Sequence, residues 1–241
     1  MLKIWDAHNF RRTLTGLSLI AAPLVLLLLA FGSALLEVNR GPFDAGAELA
    51  DIAAHPARTQ VASLLSMLES VLFLPAFVGL IHLLRDRGVV LGHLGGGLAL
   101  LGVLGNIVTA THLLVYVQMT TGGADQTQMV ALMNRIEGDT ALLPVRLSFV
   151  GFSIGLLLLG IGLWRAQVKP RWAAAGIVLA IVLFLIGIVI SGIGIVTSGG
   201  GQIIMLIVVV YAGLAISLGA IGWTVLRMSD GDWERLPEQG G

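Results

Sequence analysis

The chain has 241 residues, with 14 Lys and Arg against 14 Asp and Glu, no cysteine, 56% hydrophobic residues and only 12% charged ones, at a mean hydropathy of +0.94. Water-soluble domains carry about 25% charged residues, so this chain lacks the polar surface to cover a globule in water, and its balanced charge gives no pull toward nucleic acid. The missing cysteines exclude disulfides, thiolate metal centres, iron–sulfur clusters and thiol nucleophiles.

A helix needs about 20 apolar residues to cross roughly 30 Å of hydrocarbon. Six stretches meet this length: 14–36, 61–84, 89–119, 142–164, 172–196 and 202–226. They are continuous rather than alternating and far longer than a barrel strand. The prediction is an all-α polytopic bundle of six transmembrane helices, a single domain over 1–241 that ends in a loose polar tail at 227–241.

The first stretch follows Arg11 and Arg12 and ends on Gly32, Ser33 and Ala34, a pattern shared with signal peptides, but its apolar core is too long for one. The connection 37–60 is acidic, with Glu37, Asp44, Glu48 and Asp51. It holds a short helical pattern, Ala47, Leu49, Ala50, Ile52 and Ala53, before Pro56. The third stretch, without proline or charge, is long enough that it must tilt or project beyond the bilayer. The connection 120–141 is again acidic, with Asp125, Glu137 and Asp139, and carries Met129, Val130, Leu132, Met133 and Ile136 at helical spacing. Both pieces read as amphipathic connectors that lie on the membrane surface or cap the bundle. "TSGGGQ" at 197–202 reads as a short turn between the last two spans.

Basic residues are retained on the cytoplasmic side. One side of the membrane would hold Lys3, Arg11, Arg12, Arg85, Arg87, Arg165, Lys169, Arg171, Arg227 and Arg235; the other would hold only Arg40, Arg58 and Arg135. Both termini are therefore expected inside, and the two long acidic connections outside. Trp5, Trp164, Trp172 and Trp223 fall near the inner interface, as an aromatic belt requires.

Ionisable groups within lipid cost about 2.5 to 3.5 kcal/mol at a helix centre on insertion scales, so each is a candidate site. Three stand out: Glu69, His112 and Arg146. With the orientation above, Glu69 and His112 share a depth of about 10 to 12 Å below the outer boundary, and Arg146 enters the fourth span from the same side. Asn106, Thr109, His112 and Tyr116 form one helical stripe; Ser66, Glu69, Ser70 and Phe73 form another, with Pro75 one to two turns further in. Two readings stay open. The first is an outward-facing ligand site built from Glu69, His112, Arg146, Asn106, Thr109, Ser66 and Tyr116. The second is an internal Glu69–Arg146 pair that only neutralises charge and fixes helix register.

His82 and His93 flank the basic connection at 85–88 and invite a bis-histidine haem reading. Their interfacial positions suit headgroup or water contacts better, so no cofactor and no metal are expected. Glycine is abundant, at 32 residues. "GHLGGGLALLGVLG" opens the third span, Gly151 and Gly155 form a small-xxx-small pair, and Gly213, Gly219 and Gly222 mark the sixth. No Lys-Ser/Thr follows any of these, so none is a phosphate loop. They read as close helix contacts within the bundle, or between copies of the chain or a partner membrane subunit.

The segments "ELADIAAHPARTQ" and "LPAFVGLIHLLRDRG" together resemble uncharacterised actinobacterial membrane proteins of the type grouped as domains of unknown function. The resemblance covers about the first ninety residues. It implies this topology and a bacterial plasma membrane with lipids as surroundings, and it transfers no functional residue. The leading expectation is a non-enzymatic bundle that binds or moves a small polar or amphipathic solute or lipid near the outer leaflet. A structural or assembly subunit is the second, and an intramembrane haem carrier or enzyme the third.

Overall fold

The computed structural model describes residues 7–35, 44–121, 125–192 and 200–234. Those residues form helices and connections, with no strand among them. In chain order they are α1 (Ala7–Leu35), α2 (Ala45–Ala54), α3 (Pro56–Leu83), α4 (Val89–Thr120), α5 (Gln126–Gly138), α6 (Leu143–Arg165), α7 (Arg171–Gly192), α8 (Gly200–Arg227) and α9 (Asp230–Glu234), with a 3₁₀ turn at Thr140–Leu142. Local chemistry sets several starts. Asp44 accepts from the Gly46 and Ala47 amides ahead of α2, Asp125 from Thr127 ahead of α5, and Asp139 from Ala141 in the 3₁₀ turn. Three of the acids in the two long connections are thus helix caps. Pro56 and Pro144 stand in the first turns of α3 and α6, where a missing amide costs nothing.

Six helices, α1, α3, α4, α6, α7 and α8, are long and apolar enough to cross a membrane. Their outward faces carry bare aliphatic side chains such as Leu28, Leu101, Leu179 and Ile216, the last 64% exposed. A belt of that kind is unsustainable in water and natural in hydrocarbon, so the chain is a multi-pass integral membrane protein.

The spans form a ring in chain order: α1 packs on α3, α3 on α4, α4 on α6, α6 on α7, α7 on α8, and α8 returns to α1. The tightest seams are made by glycines. A Cβ on Gly155 of α6 would stand 2.4 Å from the Ala99 nitrogen and 2.6 Å from the Gly95 oxygen of α4, and one on Gly222 of α8 would stand 2.7 Å from the Gly16 oxygen of α1. Inside the ring, Phe73 and Phe77 of α3 stack at 5.0 Å and meet the edge of Phe152 of α6 at 5.6 and 5.8 Å. Leu80, Leu84, Leu159 and Leu163, all fully buried, continue the core toward the α9 end.

The structure resolves the excess length of the third span. At 32 residues, α4 is unbroken, and its last turns leave the ring to be covered by the two connector helices. Tyr116 and Val117 pack with Ala45, Leu49 and Ile52 of α2 and Met133 of α5. The connectors therefore cap the end of α4 with a small apolar core of their own.

At the opposite end the expectation of a loose tail is corrected. Within the tail Asp230–Glu234 form α9, where Trp233, 6% exposed, lies against the His82 ring at 4.6 Å while Arg12 donates to the Met228 carbonyl. An indole finds apolar cover there that a polar tail composition does not advertise. That end is also not uniformly apolar: Arg11, His82 and Arg85 line a cleft beside Trp233. Trp164, Trp172 and Trp223 are each more than half exposed, and the Arg227 guanidinium sits 4.5 Å over the Trp223 ring. The glycines of the 197–202 segment from Gly200 onward already belong to α8. Trp5, Glu37, Arg40, Thr197 and Arg235 lie outside the described residues.

Candidate functional site

Six helices ringed around a shared axis leave space wherever facing side chains are short. Here that space is a cavity of about 580 Å³ between the α2/α5 end and the phenylalanine cluster. Every span contributes one stripe with helical spacing. Ser66, Glu69, Ser70 and Phe73 come from α3, and Gly102, Gly105, Asn106 and Thr109 from α4. Leu26, Leu29 and Ala30 of α1, Ile181 and Phe184 of α7, and Ile207, Tyr211 and Leu214 of α8 complete the opposite wall. One wall is thus richer in polar groups, and the other is mainly aliphatic and aromatic, its Ser33 hydroxyl donating to the Leu29 carbonyl at 3.0 Å. On α6, Arg146 lies at the rim, Ser148 and Phe149 below it, and Phe152 at the floor.

The polar wall largely satisfies itself. The Asn106 Nδ2 donates to the Ser70 hydroxyl at 2.8 Å, and that hydroxyl donates to the Ser66 carbonyl at 2.8 Å. Thr109 and Ser153 return their hydroxyls to carbonyls one turn back, at 3.1 Å each. Glu69 is the exception. It is 5% exposed, lines the cavity, and has no hydrogen bond or ion pair with any described residue. An ionisable group held that way at membrane depth is costly unless something supplied from the cavity meets it.

The structure replaces the expected Glu69–Arg146 pair. Arg146 instead donates to both the carbonyl and the carboxylate of Glu137, the latter at 3.2 Å, and the Tyr116 hydroxyl donates to the same carboxylate at 2.7 Å. Arg146 is only one turn into α6, and the short 3₁₀ turn returns Glu137 to it. A half-exposed local pair avoids the cost of dragging a guanidinium into the core. Glu137 therefore clasps α4, α5 and α6 at the rim. In the sequence Glu137 is one of several acids in a connection, and its depth marks it as a surface residue.

Of the seven residues proposed from sequence, Glu69, Ser66, Asn106, Thr109 and Arg146 line the cavity. His112 and Tyr116 do not. His112 is half-buried with its ring stacked on Tyr116 at 6.4 Å, and Tyr116 faces the connector helices. The stripe on α4 is continuous, but its environment changes where the helix leaves the ring. Residues that sequence reading missed are Phe149, Phe152, Phe184 and Tyr211. In an apolar span, aromatic side chains carry no mark of facing a cavity rather than lipid.

The rim is acidic. Partial burial raises the Glu48 carboxyl above its ordinary range, and the neighbouring carboxylates of Asp51 and Glu137 push it the same way against the pull of Arg58. Between α6 and α7 the lining side chains Phe149 and Ile188 are 49% and 44% exposed, so they face both the cavity and the exterior.

The two histidines of the haem reading sit in unrelated surroundings. The His82 ring lies between the Trp233 carbonyl, at 3.2 Å, and the Arg85 guanidinium, while exposed His93 bonds the Val89 carbonyl of its own helix. Among the described residues no three His, Asp or Glu side chains converge as a metal centre would need. No protein-family model matches this chain, and neither the curated proteins nor the solved structures yield a match to it.

Proposed function

We propose that this protein binds, and passes across or within the membrane, a small amphipathic molecule that occupies the cavity between the six spans. The observation that carries this reading is the division of the cavity into a hydrogen-bonding wall on α3 and α4, which includes Glu69 with no partner among the described residues, and a mainly apolar wall on α1, α7 and α8. A ligand with one wet and one greasy end matches both walls. The exposed lining residues between α6 and α7 suit entry from the lipid. Gly16, Gly95, Gly155 and Gly222 belong to seams inside the bundle, while Gly97 and Gly219 stay open to a neighbour, so the assembly-subunit reading remains the second one.

The direct test is to fill the space. Ala30, 7% exposed on the α1 wall, is replaced by tryptophan, and binding of phenylbutanol to protein in lipid nanodiscs is followed by calorimetry. Ala30→Trp is expected to remove saturable binding while the thermal transition stays within a few degrees of wild type. Unchanged saturable binding would place the ligand elsewhere and end this reading.

In our reading the membrane is the bacterial plasma membrane, with the α2/α5 end outside and the cavity in the outer half. Support comes from the basic residues Arg85, Arg87, Arg165, Lys169 and Arg171 in the connections at the opposite end. The absence of native cysteine makes this easy to check. Thr127→Cys on α5 should react with a membrane-impermeant maleimide on intact cells, and Gln167→Cys only after the cells are opened. The reverse pattern would invert the orientation.

A further inference from the structure

We infer that the ligand of this cavity is an organic cation with an apolar body, its charged head on Glu69 and its body among Phe149, Phe184 and Tyr211. The inference rests on the reading of the cavity as a binding site and adds the chemical class of its occupant. Its first support is Glu69, nineteen-twentieths buried, lining the cavity, and with no cation or donor on it among the described residues. A buried carboxylate is best satisfied by a positive head that brings its own charge into the low-dielectric space.

The second support is aromatic. Phe149 and Phe184 meet edge to face at 5.6 Å, Phe184 and Tyr211 lie 6.1 Å apart, and all three line the same cavity. Ring faces attract cations and accept the hydrocarbon that accompanies them. The remaining charged group on the lining, Arg146, is already held by the carboxylate and carbonyl of Glu137, so its field toward an anion is spent at the rim. Of the acids near that rim, Glu137 is paired with Arg146 and Asp51 with Arg58, so the rim sets no strong field of either sign and the preference for a cation rests on Glu69 and the rings.

The experiment compares three probes that share one body: phenylbutylammonium, phenylbutanol and phenylbutyrate, titrated into full-length protein in neutral-lipid nanodiscs. The cation is expected to bind about tenfold or more tighter than the alcohol, and the anion weakest. In Glu69→Gln the advantage of the cation should collapse toward one while alcohol binding survives; in Glu69→Asp most of the advantage should remain. The unchanged alcohol affinity is the control for folding, and if Glu69→Gln fails to fold, the wild-type ratio and Glu69→Asp decide. Equal affinity for cation and alcohol, or an advantage that persists in Glu69→Gln, overturns the cation while leaving the cavity as a site. Tightest binding of the anion overturns it in favour of Arg146. Failure of all three probes to bind saturably removes the underlying reading as well.

Discussion

Gly155→Ala should be among the most damaging single-methyl changes in this protein, costing about 3 kcal/mol and lowering the thermal midpoint by roughly 6 to 12 °C. The added carbon would stand 2.4 Å from the Ala99 nitrogen and 2.6 Å from the Gly95 oxygen. Both are backbone atoms of α4, so no side chain can swing aside, and α4 and α6 must separate along their seam. Every van der Waals contact on either side then loosens, and in lipid such contacts supply much of what holds helices together. Gly97→Ala on α4 is the matched control, because nothing lies within 4 Å of its new carbon. It should be neutral or slightly stabilising, since alanine favours a helix interior over glycine by up to about 1 kcal/mol. Thermal unfolding of both variants in the same detergent checks the pair. If they melt together, the α4–α6 seam is not as close as described.

Phe77→Ala should cost about 3 to 5 kcal/mol. Phe77 is fully buried, stacks on Phe73 with ring planes 13° apart, and meets the edge of Phe152. Its removal deletes a large contact area and two ring pairs, each worth about 0.5 to 1.5 kcal/mol beyond burial. It also takes away the backing of Phe73 and Phe152, which form the cavity floor. Phe77→Leu, which keeps most of the volume, should recover much of the loss. The rim offers a contrast. Arg146 and Glu137 are 48% and 35% exposed, so Glu137→Gln should change stability by less than about 1 kcal/mol. Ranking the three variants by thermal midpoint checks the expectation. An undiminished midpoint for Phe77→Ala would mean that the floor can close without it.

Much of this architecture was legible in composition and run length. Charged residues are so sparse, and the apolar runs so close to a bilayer's thickness, that six membrane-crossing helices follow almost without reference to residue order. The polar wall was legible too. Ser66, Glu69, Asn106 and Thr109 share helical spacing on neighbouring spans, and few polar groups sit at that depth to be confused with them. The partner of Arg146 was not. A depth estimate places Arg146 near Glu69, but the choice between Glu69 and Glu137 depends on how a three-residue turn folds back, and that is a matter of angstroms.

Glycine marks the same boundary. Gly151 and Gly155 are equivalent as a small-xxx-small pair, yet only Gly155 is pressed against a backbone too closely for a Cβ; the nearest atom to a Cβ on Gly151 is the Leu98 carbonyl oxygen at an ordinary 3.7 Å. The burial of Trp233 and the diversion of Tyr116 into the connector layer are likewise invisible to periodicity, which reports a helix face but not what stands opposite it.

The sequence by itself determined the solvent, the helical class and the number of spans, because each depends on one chain's hydrophobicity measured against a bilayer of known thickness. Only the tertiary structure decided that the spans close into a ring, that the ring holds a cavity with one polar and one mainly apolar wall, and that Glu69 faces it with no partner among the described residues. Those features depend on the rotation of each helix about its own axis, which is set by which short residues let neighbours approach. In a chain that is apolar on nearly every face, hydrophobicity leaves that rotation open, and packing against the other five helices settles it.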